Sequence, residues 1–122
     1  MNMPRVLILG ASDSPERYSY KAMQLLIAKN YPVLLVGLKR KEVHGLRIDQ
    51  VFPKLNPEDV ITLYVGAQNQ RPWYEMILNS GAAKVIFNPG TENTELQQLL
   101  DQKGMKWEEA CTLVLLNTNQ FP

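Results

Sequence analysis

The chain is short of the residues that staple or metallate small proteins. It has one cysteine, Cys111, and one histidine, His44. A single thiol excludes an internal disulfide and a metal site built from several thiolates. Charge of one sign is also missing: 13 basic residues stand against 12 acidic ones, a formal net charge of +1. That balance argues against a polyanion as main partner, so no nucleic acid is expected. Long hydrophobic runs are absent, and none approaches the roughly 20 apolar residues of a membrane span. The start passes through Arg5 into an apolar run of only four residues, unlike a signal peptide. A cytoplasmic protein without a membrane partner is the expectation.

Catalytic constellations are equally scarce. A general base needs a partner held in reach, and no motif places a carboxylate beside His44. Ser12 and Ser14 have no evident base. A reactive thiol needs a cationic neighbour, which the sequence does not place beside Cys111, and this cysteine reads as a small packed side chain. Asp13 invites comparison with phospho-receiver domains, which need an aspartate after the third strand; Tyr64-Val65-Gly66 stands there instead. No catalytic or metal residue is assigned.

What is present is an alternation of apolar runs and helical periods. The chain has 122 residues, of which 45% are apolar, enough for one core and one domain over 1–122. Val6–Leu9, Val33–Val36, Val60–Val65 and Lys84–Phe87 read as strands, three of them wholly apolar or nearly so, the parallel-sheet type. Between them Ser19–Lys29, Trp73–Ser80 and Thr94–Lys103 read as helices, with Asn30, Gly81 and Gly104 as stops. Met105–Trp107 forms a fifth short strand, and a short strand near Leu46–Ile48 is possible. Cys111–Leu116 fits a strand or a buried turn of helix. The pattern predicts an α/β, Rossmann-like, doubly wound parallel sheet of about five strands in the order 3-2-1-4-5, with helices on both faces. Ligands in such sheets bind beyond the carboxyl ends of the strands, where the winding switches direction. In that order the ends of strands 1 and 4 meet at the crevice.

The stretch Val6-Leu7-Ile8-Leu9-Gly10-Ala11-Ser12-Asp13-Ser14-Pro15-Glu16-Arg17 has the build of a phosphate cradle. A buried strand ends in glycine, whose bare backbone lets an anion approach, and a helix start follows with its positive dipole end. The dinucleotide fingerprint needs three glycines, and here Ser12 and Pro15 replace the second and third. The second strand ends in Gly37-Leu38-Lys39-Arg40, where an NAD enzyme would carry an acidic residue. A basic end suits an extra ribose phosphate, which NADP carries at the 2′ position and coenzyme A at the 3′ position.

Gly10-Ala11-Ser12-x-x-Pro15-x-Arg17, the strand ending near Lys39, Gly81-Ala82, Asn88-Pro89-Gly90-Thr91-Glu92-Asn93 and Cys111 together resemble the small stand-alone CoA-binding domain family. That family is similar to the nucleotide-binding N-terminal domain of the succinyl-CoA synthetase alpha subunit. The resemblance covers nearly the whole chain. It departs at Gly37-Leu38, where the family usually has Asn-Pro, and at Val65-Gly66, where it often has an arginine. It implies coenzyme A or an acyl-CoA as cofactor. Gly10, Ala11 and Ser12 would line the pyrophosphate, and Ser14 and Arg17 would add donors. Lys39 would stand near the 3′-phosphate, while Pro89 and Gly90 would shape the wall toward the pantetheine arm. With no catalytic domain at hand, the implied role is a non-catalytic carrier, sensor or regulator, acting through a partner protein or as a homodimer. The alternatives are an NADP-dependent oxidoreductase and an interaction module that has lost its ligand.

Overall fold

The computed structural model describes residues 3–38 and 41–122. In chain order it contains β1 (Val6–Leu9), α1 (Tyr18–Ala28), β2 (Val33–Val36), β3 (Lys41–Val43), β4 (Leu46–Asp49), β5 (Val60–Leu63), α2 (Tyr74–Leu78), β6 (Lys84–Phe87), α3 (Thr94–Lys103), β7 (Lys106–Glu109) and α4 (Thr112–Asn117). Two 3₁₀ turns, Ala67–Asn69 and Arg71–Trp73, precede α2.

The seven strands form one sheet in the order β3-β4-β2-β1-β5-β6-β7. All pairings are parallel except that of β3 with β4. The Rossmann-like α/β class holds, but the expected strand number and order do not. Without the edge hairpin, the expected 3-2-1-4-5 becomes 2-1-3-4-5. The hairpin supplies the reason. β4 runs parallel to β2 and occupies its outer edge, where Gly37 N–H donates to Asp49 O at 2.9 Å. The next long strand is left with the other side of β1. Asp59 clamps it there, accepting from Arg5 N and Nε at 3.0 Å each and from Arg5 Nη2 at 2.7 Å, while Val60 N–H returns to Arg5 O at 3.0 Å.

The four side chains of β1 are fully buried, which explains its unbroken apolar run. Val6 and Ile8 join Met23 and Leu26 of α1 and Leu116 of α4 on one face. Leu7 and Leu9 join Ile61, Leu63, Phe87, Ile77 of α2 and Leu96 and Leu100 of α3 on the other. Helix ends follow local chemistry. The Asn93 side chain accepts from Leu96 N–H at 3.2 Å, and Gly104 stops α3 at φ +72°. Asn30, at φ +68°, follows α1 and donates to Ile27 O at 2.9 Å. Cys111–Leu116 resolves as helix, with Cys111 at the N-cap of α4. No helix among the described residues is long and apolar enough to cross a membrane.

Candidate functional site

At the carboxyl ends of β1, β2 and β5 a cleft of about 510 Å³ opens. Its floor is the turn after β1, formed by Gly10, Ala11, Ser12 and Asp13, with Arg17 at one side. Gly10 has φ +96°, and an added Cβ would lie 2.9 Å from both the carbonyl carbon and oxygen of Tyr64. Glycine is required there because β5 approaches so closely. Gly37 performs a similar service: a Cβ on it would meet Ala11 O at 2.9 Å.

The turn does not offer all its amides to a ligand. Gly10 N–H and Ala11 N–H both donate to Val36 O, at 2.8 and 3.0 Å. Ser14 N–H is taken by Ser12 Oγ at 3.0 Å. The Ser12 hydroxyl proton and two cationic side chains are among the donors left at the cleft. Arg17 is exposed and enters none of the ion pairs among the described residues. Lys41, on β3, reaches across to Asp13 Oδ2 at 3.1 Å. Both partners of that pair are about half exposed, so it is readily exchanged for another anion.

Of the residues singled out from the sequence, Gly10, Ala11, Ser12 and Arg17 come together on the cleft. Ser14 stands beside it, its hydroxyl donating to Glu16 Oε1 at 3.0 Å. Glu16 has a lowered pKa because its own backbone N–H and the Ser14 hydroxyl favour the carboxylate. Lys39 lies outside the described residues. Pro89 and Gly90 follow β6, which β5 separates from β1, and they are not among the residues lining the cleft.

The far wall comes instead from Tyr64, Val65, Gly66, Asn69 and Trp73, the segment after β5, while Leu38, Lys41 and Ile48 build the near side. Sequence reasoning missed this wall because it placed the fourth long strand beside the first. Gly66, which ends the largely apolar run Val60–Val65, was the available signal. Trp73 packs against the core and also borders the cleft.

Behind the wall lies a hydrogen-bonded web. Asn88 Nδ2 donates to Thr62 Oγ1 at 2.6 Å and Leu63 O at 2.8 Å, and its Oδ1 accepts from Thr112 N–H at 2.8 Å. Tyr64 leans on the same group: burial pushes its phenol up to about 12, against hydrogen bonds to Thr112 and Thr62 that lower it. Gln70, fully buried, ties Val65 O to Thr91 O at 2.7 Å each. Asn88-Pro89-Gly90-Thr91 thus braces the wall from behind. His44 sits exposed in the β3–β4 turn, sharing a 2.6 Å hydrogen bond with the Tyr20 hydroxyl. Among the described residues no group of three His, Cys, Asp or Glu could hold a metal ion.

Residues 4–117 match the model of the CoA binding domain family. The chain belongs to that family. A crystal structure of an uncharacterized protein is similar at 40% identity, with a TM-score of 0.93 over 99% of this chain and 100% of that one. A hypothetical protein from Pyrococcus horikoshii OT3 is similar at 26% identity, TM-score 0.83, over 93% of this chain and 81% of that one. A protein of Thermus thermophilus, cell-free ID.343, shares the fold at 18% identity and TM-score 0.84, over 97% and 90%. No curated protein matches the chain.

Proposed function

We propose that the chain, acting as one binding domain over 1–122, holds coenzyme A or an acyl-CoA in the cleft above Gly10-Ala11-Ser12. One observation carries the reading: in a chain of the CoA binding domain family, the cleft at the strand ends is flanked by Arg17 and Lys41 and floored by a glycine turn. The diphosphate lies over that turn, its charge met by Arg17, Lys41 and the Ser12 hydroxyl, as charge-assisted hydrogen bonds to phosphate require. Ser14 lends its hydroxyl by giving up the bond to Glu16 Oε1. Binding releases Lys41 from Asp13. Lys39 answers the 3′-phosphate, a role that rests on the family resemblance and on the basic run Lys39-Arg40-Lys41 in the sequence. Pro89 and Gly90, one strand beyond the wall, meet only the distal arm of the ligand. The role is that of a carrier, sensor or regulator without chemistry of its own.

The NADP alternative draws no support from the family match, and the turn lacks glycine at positions 12 and 15. Isothermal titration with coenzyme A, dephospho-coenzyme A, NADP and NAD tests the reading. Coenzyme A is expected to bind, the dephospho form more weakly, and the dinucleotides not at all. Arg17→Ala removes a charge-assisted contact, so affinity falls about 10- to 100-fold while the melting curve stays put. Equal affinity for the dephospho form removes the role given to Lys39. No binding of either coenzyme form overturns the reading and leaves the ligand-free interaction module.

A further inference from the structure

β7 ends the sheet, paired with β6 on one side and with nothing among the described residues on the other. Ala110 N–H donates to Phe87 O at 3.1 Å. Backbone direction alternates along a strand, so Lys106 and Glu108 also turn their N–H and C=O toward β6. Those of Trp107 and Glu109 point out of the sheet. A shallow groove of about 540 Å³, lined by Lys84, Asp101, Lys106, Trp107 and Glu108 among others, lies along this edge.

Charge on an edge strand commonly repels a second strand. β7 reads Lys106-Trp107-Glu108-Glu109, and in one register that charge is self-complementary. Two copies paired antiparallel about a dyad at Trp107 place Lys106 of each opposite Glu108 of the other. The outward backbone groups then match. Trp107 exchanges both bonds with its counterpart, and Glu109 N–H meets the Met105 carbonyl. A dyad at Glu108 sets like charges face to face, which is destabilising. A dyad between residues opposes outward groups with inward ones and makes no ladder.

The side chains are prepared for the first register. Lys106 is exposed and enters none of the ion pairs among the described residues. Glu108 pairs with Lys84 of its own chain and has a second carboxylate oxygen to offer. Trp107 is half-buried on the opposite face, edge-on to Phe87 with ring centroids 5.9 Å apart. Its Nε1 donates to Asp101 Oδ1 at 2.8 Å, so the ring is held at the edge, where its counterpart would cover it.

We propose that β7 is the interface of a homodimer in which two sheets join edge to edge through this register. β5 and β6 stand between β7 and β1, so both clefts stay open. The proposal does not depend on the identity of the ligand. Sedimentation velocity over a dilution series tests it. The wild type is expected to dimerise and dissociate on dilution. Lys106→Glu opposes like charges at two symmetric positions and weakens association about 10- to 30-fold. Glu108→Lys does the same. Mixing the two variants restores the dimer, because each supplies the charge the other lacks. If Glu108→Lys does not fold, as judged by circular dichroism, Lys106→Gln must fall between wild type and Lys106→Glu. A monomeric wild type, variants that associate like it, a mixture that stays apart, or a different order of the Lys106 series overturns the proposal.

Discussion

Gly10→Ala is the substitution in which fold and site meet most directly. A Cβ there lies 2.9 Å from Tyr64 C, Tyr64 O and Val65 Cγ2, and the backbone sits at φ +96°. An L side chain in the left-handed region costs about 1–2 kcal/mol. Pushing β5 and its following segment aside adds about 1–3 kcal/mol, as overpacking does elsewhere. The expected loss is therefore about 2–5 kcal/mol, a large share of the 5–15 kcal/mol or so that such domains possess. Gly81→Ala is the matched control. Gly81 has φ +73° with nothing within 4 Å of its would-be Cβ, so it carries only the first cost. Thermal and urea unfolding of both variants gives the difference. At about 3–5 °C per kcal/mol for a chain of this size, Gly10→Ala melts about 6–25 °C below wild type and Gly81→Ala about 3–10 °C below, with Gly10→Ala always the lower of the two. If the two variants unfold together, the close approach of β5 to the turn plays no part, and the account of the cleft floor is wrong.

Two further predictions concern pH. Asp59 is fully buried, and although burial opposes its ionisation, the Arg5 side chain and the N–H groups of Asn56 and Arg5 hold its pKa below the usual value. Its contribution is complete above the unfolded-state pKa of about 3.9 and is lost as pH falls through the lower folded value. Urea melts should therefore weaken into acid for the wild type, and less steeply for Asp59→Asn, which is already destabilised; an unchanged acid slope in the variant would count against the clamp. Tyr64, with its pKa pushed up to about 12 chiefly by burial, keeps its proton when folded. Stability should fall as pH rises from about 10 toward 12, because the unfolded chain ionises first. Tyr64→Phe flattens that decline, and phenolate absorbance checks which tyrosine titrates last.

The local grammar of this chain was legible before any tertiary contact was considered. Val6–Leu9, Val33–Val36 and Lys84–Phe87 are strands with the expected bounds, and Thr94–Lys103 is a helix with the expected bounds and stop. These depend on nearest neighbours: apolar runs, a side-chain oxygen before a helix, a glycine after it. The turn at Gly10 belonged to the same class of signal. Tertiary structure alone decided which strand lies beside β1. That choice rests on the Lys41–Val43 strand pairing with Leu46–Asp49 to occupy the outer edge of β2, and on Arg5 meeting Asp59, 54 residues away. A polar pair at such separation leaves no periodic trace in the sequence, and three charged or irregular residues in an edge strand resemble a loop. Because the neighbour of β1 sets the opposite wall, Tyr64–Gly66 and Trp73 line the cleft and Pro89-Gly90 does not. Local propensity could name the floor of the site; only the packing order of the sheet could name what stands across from it.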